Sequence, residues 1–302
     1  MTASKPKSTL AVSSKLISQT NLKQGNAWPA PAKINLFLHI VGKRSDGYHN
    51  LQTVFQFLDY GDELFFELNQ HGEIARRYDF GFNESDDLCL RAAHILKEYA
   101  PKESGVTIDL LKRVPMGGGL GGGSSNAATV LLALNSLWKL DLSRQQLADI
   151  GLTLGADVPV FVMGQAAWAE GVGEQLSPIE LPEPWYVVLN PQISVSTAQI
   201  FANKHLTPAQ EMKKIRALEK GIDSSFGENQ LEAIVRAEYP QVNSLIEWLG
   251  KYGQPRMSGS GASVFMPVSS EHEGLEILAE QPSYSVGFVA KGLNCHPLLN
   301  AV

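Results

Sequence analysis

Cysteine is scarce in this chain. Its 302 residues hold two, Cys89 and Cys295, far apart. Two isolated thiols make neither a disulfide framework nor a zinc knuckle, and they suit the reducing cytosol. No two of the seven histidines stand four residues apart, so the helical zinc motif is missing. Basic residues are outnumbered and the net charge is −6. That argues against nucleic acid as a partner, since a nucleic-acid surface is basic. No apolar run approaches the roughly 20 residues of a membrane span. No arginine precedes Arg44 and no acidic residue precedes Asp46. Residues 1–26 therefore read as a disordered tail, or as a transit peptide for plastid import, in an otherwise cytoplasmic protein. The missing apolar h-region excludes a secretory signal.

What is present is an ordinary globular composition, 44% hydrophobic and 19% charged, over a length that favours two domains. Ala32, Ile34, Leu36, Leu38 and Ile40 alternate and predict a strand with one apolar face. Lys33 and Asn35 then share the opposite face. Thr53–Leu58 and Glu63–Leu68 predict two strands around a turn at Gly61-Asp62. Asp86 or Asp87 caps a predicted helix through Tyr99, with Leu88, Ala92, Ile95 and Tyr99 on its apolar side. Val106, Ile108 and Leu110 predict a strand. Val130, Leu131, Leu134 and Leu137 predict a helix. Ser143 and Gln146 form a capping box. Prolines crowd the chain after Gly173, around a strand at Trp185–Leu189. Val242, Leu245, Ile246 and Leu249 mark one more helix, and Val286–Ala290 one more strand. The whole predicts two α+β domains, 27–177 and 178–302.

Six glycines fall in the eleven residues from Pro115 to Ser125. Glycine is entropically costly, and one reason to use so many is close approach of backbone N–H groups to an anion. The segment lies between a predicted strand and a helix expected to start near Ser124–Asn126, where free amides and the helix dipole favour phosphate. A flexible linker is the plain alternative. No Gly-Lys-Ser/Thr follows, so this is not a Walker A loop. Its Gly-x-Gly-x-x-Gly match comes from glycine density alone, and no suitably placed acid closes a dinucleotide site.

Asp157 stands alone in the apolar run from Gly155 to Val162. With Pro159 two residues on, it is either a helix N-cap or a general base paired to a cation. Lys33 is the candidate cation, unless its stem merely snorkels to the surface. Met257 to Phe265 reads as a glycine/serine turn entering a strand. Two glycine-rich turns could pack backbone to backbone around a nucleotide.

Together, Pro31 to Leu36, Pro115 to Ser125 and Met257 to Ala262 resemble the three motifs of the GHMP kinases, which include galactokinase, homoserine kinase and mevalonate kinase. The resemblance spans Trp28 to Leu298. It implies an N-terminal domain like ribosomal protein S5, a C-terminal ferredoxin-like domain, and an active site between them. Within the family, Gly47 to Thr53, the long run from Pro115 to Ala128, and Gly155 to Pro159 resemble the branch whose acceptor carries a cytidine diphosphate group. That implies ATP with Mg²⁺, phosphorylation of the tertiary 2-hydroxyl of a cytidine diphosphate-linked methylerythritol, a place in the non-mevalonate route to isoprenoids, and no obligate protein partner.

The resemblance also implies site residues. Asp157 is the catalytic base and Lys33 its partner. Pro115, Met116, Gly117, Gly118, Gly119, Leu120, Gly121, Gly122, Gly123, Ser124 and Ser125 bind ATP. Asn35, Tyr48, His49, Thr197 and Phe201 bind the acceptor, with Tyr48 and Phe201 as an aromatic clamp and His49 on the cytosine edge. Gly259, Ser260 and Gly261 form the third-motif loop. Ser125 is a candidate magnesium ligand.

Overall fold

Trp28–Lys43 forms the first strand, β1, and His49–Asn69 the second, β2, paired antiparallel along their length. The computed structural model describes residues 26–206 and 228–301. The tail expected over residues 1–26 lies outside the described residues, Asn26 excepted. Strand β2 runs unbroken where two strands and a turn were expected. Gly61 is no turn residue. A Cβ there would collide with the Ala30 carbonyl of β1, so glycine permits the close strand approach. Asp62 is buried and accepts hydrogen bonds from the amides of Arg113 (2.7 Å) and Val114 (2.8 Å) and from Lys112.

The single apolar face expected on β1 is also corrected. The pairing register slips between Asn35 and Leu38, which inserts an extra residue into β1. Ala32, Ile34 and Leu36 therefore pack into one cluster with Phe37, whereas Leu38 and Ile40 pack into another. The slip falls just past Lys33 and Asn35, which keep their shared face.

Beyond β2 come β3 (Ile74–Arg76), α1 (Leu88–Lys97) and β4 (Gly105–Leu111). Asp87 caps α1 by accepting from Cys89 N at 2.9 Å and Leu90 N. Cys89, Leu90, Ala92, Ala93 and Leu96 are its buried residues, and Tyr99 lies past its end, exposed. Of the expected stripe, Ala92 is buried, Leu88 and Ile95 are half-buried against the first core, and Tyr99 alone falls outside it. Next are α2 (Gly122–Leu137), α3 (Arg144–Leu154) behind its Ser143–Gln146 capping box, and α4 (Val158–Met163). The hairpin of β5 (Ala167–Glu170) and β6 (Gln175–Pro178) joins β2 through β5. Then follow β7 (Trp185–Asn190), α5 (Thr197–Phe201), α6 (Glu232–Glu238) and α7 (Pro240–Leu249). The chain closes with β8 (Arg256–Met257), β9 (Val264–Val268), α8 (Glu271–Ala279) and β10 (Val286–Leu293).

This is a mixed α+β fold. The main strand order is β3-β4-β2-β10-β7-β9-β8, with β1 and β5 added on β2. Two of three buried clusters pack helices against the sheet system, and the third is the one around Phe37. One packs β2 and β4 against α1 to α4. The other packs β7 and β9 against α6 and α7, where Val242, Leu245, Ile246 and Leu249 are all buried as expected. After β10 the chain returns to the first core, where Leu298 is buried and His296 N bonds to Gly164 O at 2.9 Å. No helix among the described residues is long and apolar enough to cross a membrane.

Candidate active site

The glycine segment joins β4 to α2. Gly117, Gly119 and Gly121 hold φ of +64°, +75° and +69°, a backbone that other residues rarely adopt. The carbonyls of the loop are turned into the scaffold. Gly118 O accepts from Ser263 N at 3.0 Å, Leu120 O from Lys33 N at 2.9 Å, and Gly119 O from Ser258 Oγ at 2.9 Å. Helix α2 opens at Gly122, two residues earlier than the sequence suggested. Ser125 N is bonded to Gly121 O at 2.8 Å. The amides of Gly122, Gly123 and Ser124 thus lack an intrahelical acceptor and sit at the positive end of a 16-residue helix. Backbone donors outward and carbonyls inward make an anion cradle. The third-motif turn supports it from behind: a Cβ on Gly119 would strike the Ser258 carbonyl. Asn229 ties that turn by donating to Met257 O (2.9 Å) and Gly259 O (2.7 Å).

Asp157 precedes α4, but its side chain makes no capping bond. It pairs instead with Lys33, Nζ to Oδ2 at 3.1 Å. The lysine side chain is 3% exposed and the aspartate 33%, so the lysine does not snorkel and the carboxylate keeps an open side. Lys33 Nζ also donates to Asn35 Oδ1 at 2.6 Å and Gly119 O at 3.2 Å, and lies 5.3 Å from the Phe55 ring centre. Those contacts fix the ammonium, which in turn fixes the carboxylate. Asn35 Nδ2 donates to Thr53 Oγ1 at 2.9 Å, Thr53 donates to Phe37 O, and Asn35 N donates to Ser258 Oγ at 3.2 Å. Thr53 and Ser258 lie in quoted motif segments but were not expected as site residues. Each is a hydroxyl in an apolar strand or turn, and only the tertiary pairing singles it out.

Two cavities of about 330 Å³ each open on the loop. The first runs along Pro115 to Ser124 and on to Tyr78, Phe80, Phe82 and Lys112. The second holds Lys33, Asn35, Asp157, Thr197, Phe201 and Ser260. Gly117, Gly119, Gly121 and Ser124 line both, so one loop is the wall between them. Thr197 Oγ1 and Ser260 Oγ share a hydrogen bond of 2.7 Å across the second cavity's rim. His49 lies on β2 in phase with Leu51 and Thr53, two lining residues, and its ring centre is 5.6 Å from that of Phe201, tilted by 34°. Its Nδ1 is buried without a partner. Burial, and then Lys43, hold the imidazole below its ordinary value, so it is neutral at pH 7. Tyr48 is 64% exposed and lines neither cavity. Gly261 is turned against Met257 rather than toward either cavity.

No group of three or more His, Cys, Asp or Glu that could hold a metal ion occurs among the described residues. Ser125, the magnesium candidate, is fully buried with its Oγ unpartnered, and it lines neither cavity. Ser124 is the loop serine that lines both. One serine hydroxyl suits Mg²⁺, which prefers oxygen and keeps most of its waters or phosphate ligands.

Comparison with known proteins bears on this geometry. The family model for the GHMP kinases N terminal domain matches residues 87–165, and that for the GHMP kinases C terminal matches residues 209–282. The chain is 52% identical over 277 residues to the 4-diphosphocytidyl-2-C-methyl-D-erythritol kinase of Thiobacillus denitrificans, covering 91% of this chain and 98% of that protein. It is 53% identical over 273 residues to the protein of that name from Marinobacter nauticus, covering 89% and 95%. A crystal structure of 4-(cytidine 5'-diphospho)-2C-methyl-D-erythritol kinase superposes with TM-score 0.77 at 32% identity, over 88% of this chain and 99% of that one. The mevalonate kinase of Methanococcus jannaschii superposes at 0.65 with 14% identity, over 90% and 99%, which shares the fold alone.

Proposed function

This chain belongs to the GHMP kinases, in the branch of the 4-diphosphocytidyl-2-C-methyl-D-erythritol kinases, and from that premise we propose how its two cavities divide the reaction. The enzyme is an ATP-dependent small-molecule kinase of the non-mevalonate isoprenoid route. The first cavity takes ATP and the second takes the cytidine diphosphate-linked methylerythritol. The observation that carries this reading is the shared wall. The loop that cradles phosphate in one cavity presents Gly119 and Ser124 to the cavity holding the Lys33–Asp157 pair.

Asp157 accepts the proton of the tertiary 2-hydroxyl as its oxygen bonds to the γ-phosphorus. The bond between that phosphorus and the β–γ bridging oxygen breaks, and ADP leaves. Lys33 holds the carboxylate in line and offsets charge at the junction. The amides of Gly122 to Ser124 stabilise the phosphates. Catalysis here is positioning plus electrostatics. Mg²⁺ accompanies ATP and neutralises phosphate charge when bound; Ser124 Oγ is the side chain that would help to hold it. His49 and Phe201 receive the cytosine. The neutral imidazole has one donor and one acceptor with which to meet the base edge. Tyr48 reaches this site from its exposed position when substrate is present. The expected domain division at 177/178 falls inside the end of β6 (Gln175–Pro178), just before the link to β7.

A coupled ADP-release assay tests the assignment. Turnover is expected with the cytidine diphosphate-linked methylerythritol and not with mevalonate or homoserine. Comparable turnover of either simple alcohol would overturn it.

A further inference from the structure

An ammonium group has three N–H donors and no acceptor. All three donors of Lys33 have a partner: Asn35 Oδ1 at 2.6 Å, Gly119 O at 3.2 Å and Asp157 Oδ2 at 3.1 Å. Asn35 must therefore offer Lys33 the oxygen end of its amide. The reversed amide would set N–H against N–H beside a buried charge, which is costly. The seat of the ammonium thus depends on which way round one neutral side chain is held.

The nitrogen end of that amide donates to Thr53 Oγ1 at 2.9 Å, and Thr53 Oγ1 donates to Phe37 O at 2.5 Å. The one hydroxyl hydrogen is spent on a carbonyl, so Thr53 can only accept from Asn35. The slip in β1 brings that carbonyl within reach. Asn35 pairs with Phe55 and Leu38 with Thr53, which leaves Leu36 and Phe37 opposite Val54 alone. Asn35 and Thr53 are both buried. The result is a one-way chain of donors, from Lys33 to Asn35 to Thr53 to a backbone carbonyl, in which each bond polarises the next.

We propose that Thr53 is a positioning residue for the reaction: it fixes the orientation of the Asn35 amide, and through that amide the seat of the Lys33 ammonium against Asp157. The proposal rests on reading Asp157 as the base. Thr53 lines the second cavity, but its hydrogen is already given to Phe37 O, so it acts through Asn35 rather than as a donor to the acceptor. Serine keeps the hydroxyl and the polarity of the chain. Valine has the shape of threonine but strands the Asn35 nitrogen, and the amide is then free to turn its N–H groups toward the ammonium.

The test is a double-mutant cycle on the full-length protein. The kcat and both KM values are measured for Thr53→Val, Asn35→Ala and the two combined, with melting temperatures beside them. Thr53→Val is expected to lower kcat about tenfold, with the KM for ATP within about twofold of its starting value. Thr53→Ser restores most of that loss. With Asn35 already alanine, adding Thr53→Val changes kcat by less than about twofold, because no amide is left to orient. A second readout needs no turnover. The side-chain amide protons of Asn35, assigned in NMR spectra by their loss in Asn35→Ala, exchange with solvent faster in Thr53→Val and not in Thr53→Ser. If Thr53→Val does not fold, Thr53→Cys carries the cycle, since a thiol is a weak partner for both groups. An equal loss of kcat in the two Asn35 backgrounds overturns the proposal, and so does unchanged exchange of the Asn35 amide. A rise in the acceptor KM alone also overturns it, because Thr53 would then be a direct substrate contact. Near-normal turnover in Asp157→Asn would remove the base reading alone, and the amide exchange would still report on Thr53.

Discussion

The two cavities share a wall but are built by opposite means. Half of the first is contiguous: ten consecutive residues, Pro115 to Ser124, line it, and the donors proposed for phosphate are backbone amides. The second is assembled from β1, β2, the turn before α4, α5 and the turn after β8, and its chemistry is carried by side chains. A backbone cradle needs shape, so its sensitive positions are glycines. A side-chain site needs identity, so its sensitive positions are Lys33, Asp157 and their supports. If that contrast is right, substitutions in the two cavities fail in different ways.

Asp157→Asn is the sharpest break. It keeps the size of the side chain and removes the proton acceptor, so kcat is expected to fall on the order of 10²-fold or more, with the melting temperature nearly unchanged. Near-normal turnover would remove Asp157 from the base role. Gly119→Ala attacks the other cavity through shape. The new Cβ meets the Ser258 carbonyl at a positive φ, so a loss of about 1–3 kcal/mol in stability and weaker ATP binding are expected in denaturant and titration curves. Gly123→Ala is the control, since a Cβ there meets only Leu88 at 3.6 Å; equal damage from both would undo the shape argument. Phe201→Ala should raise the KM of the cytidine substrate about tenfold and leave ATP binding alone. Tyr48→Ala should act in the same direction by less, as suits an exposed ring. An unmoved acceptor KM in both would sink the base-recognition reading.

The last effect lies outside both cavities. His296 is buried against Phe57, and its Nδ1 accepts from Leu298 N at 3.0 Å. Burial, and then Arg144, push it from 6.5 down to about 3. Between those values the unfolded chain binds a proton that the folded chain does not. Stability from this group is therefore complete above pH 6.5 and is lost as pH falls toward 3, by at most about 1.4 kcal/mol per unit. In His296→Asn, whose Oδ1 can replace Nδ1 as acceptor, chemical denaturation at pH 7 and pH 5 should show a shallower pH dependence. An identical slope would discount the histidine.

Legibility followed the same divide. The glycine cradle could be read because its parts are neighbours in the chain, and so could the Ser143 capping box and the stripe on α7. Lys33 and Asn35 on one face were legible because alternation survives up to the slip beyond Asn35. The unbroken β2 was not legible, because Gly61-Asp62 looks like a turn until β1 lies across Gly61 and until Asp62 finds Lys112 and two amides about 50 residues on. The aromatic wall of the first cavity was missed for a related reason. Tyr78, Phe80 and Phe82 sit in a short irregular segment, and only the fold places them beside the loop.

By itself, then, the sequence determined that this chain has a glycine-rich strand-to-helix loop without a Walker lysine, an isolated acid with an isolated lysine, and an α+β fold around them. Those features follow from local backbone preference and from the cost of burying an unmatched charge. Tertiary structure alone decided that Asp157 faces Lys33 rather than capping a helix, that Ser124 and not Ser125 lines both cavities, and that Asn35, Thr53 and Ser258 brace the pair. These depend on contacts between residues as much as 223 positions apart. Such contacts exist only once the strands have registered and the cores have closed.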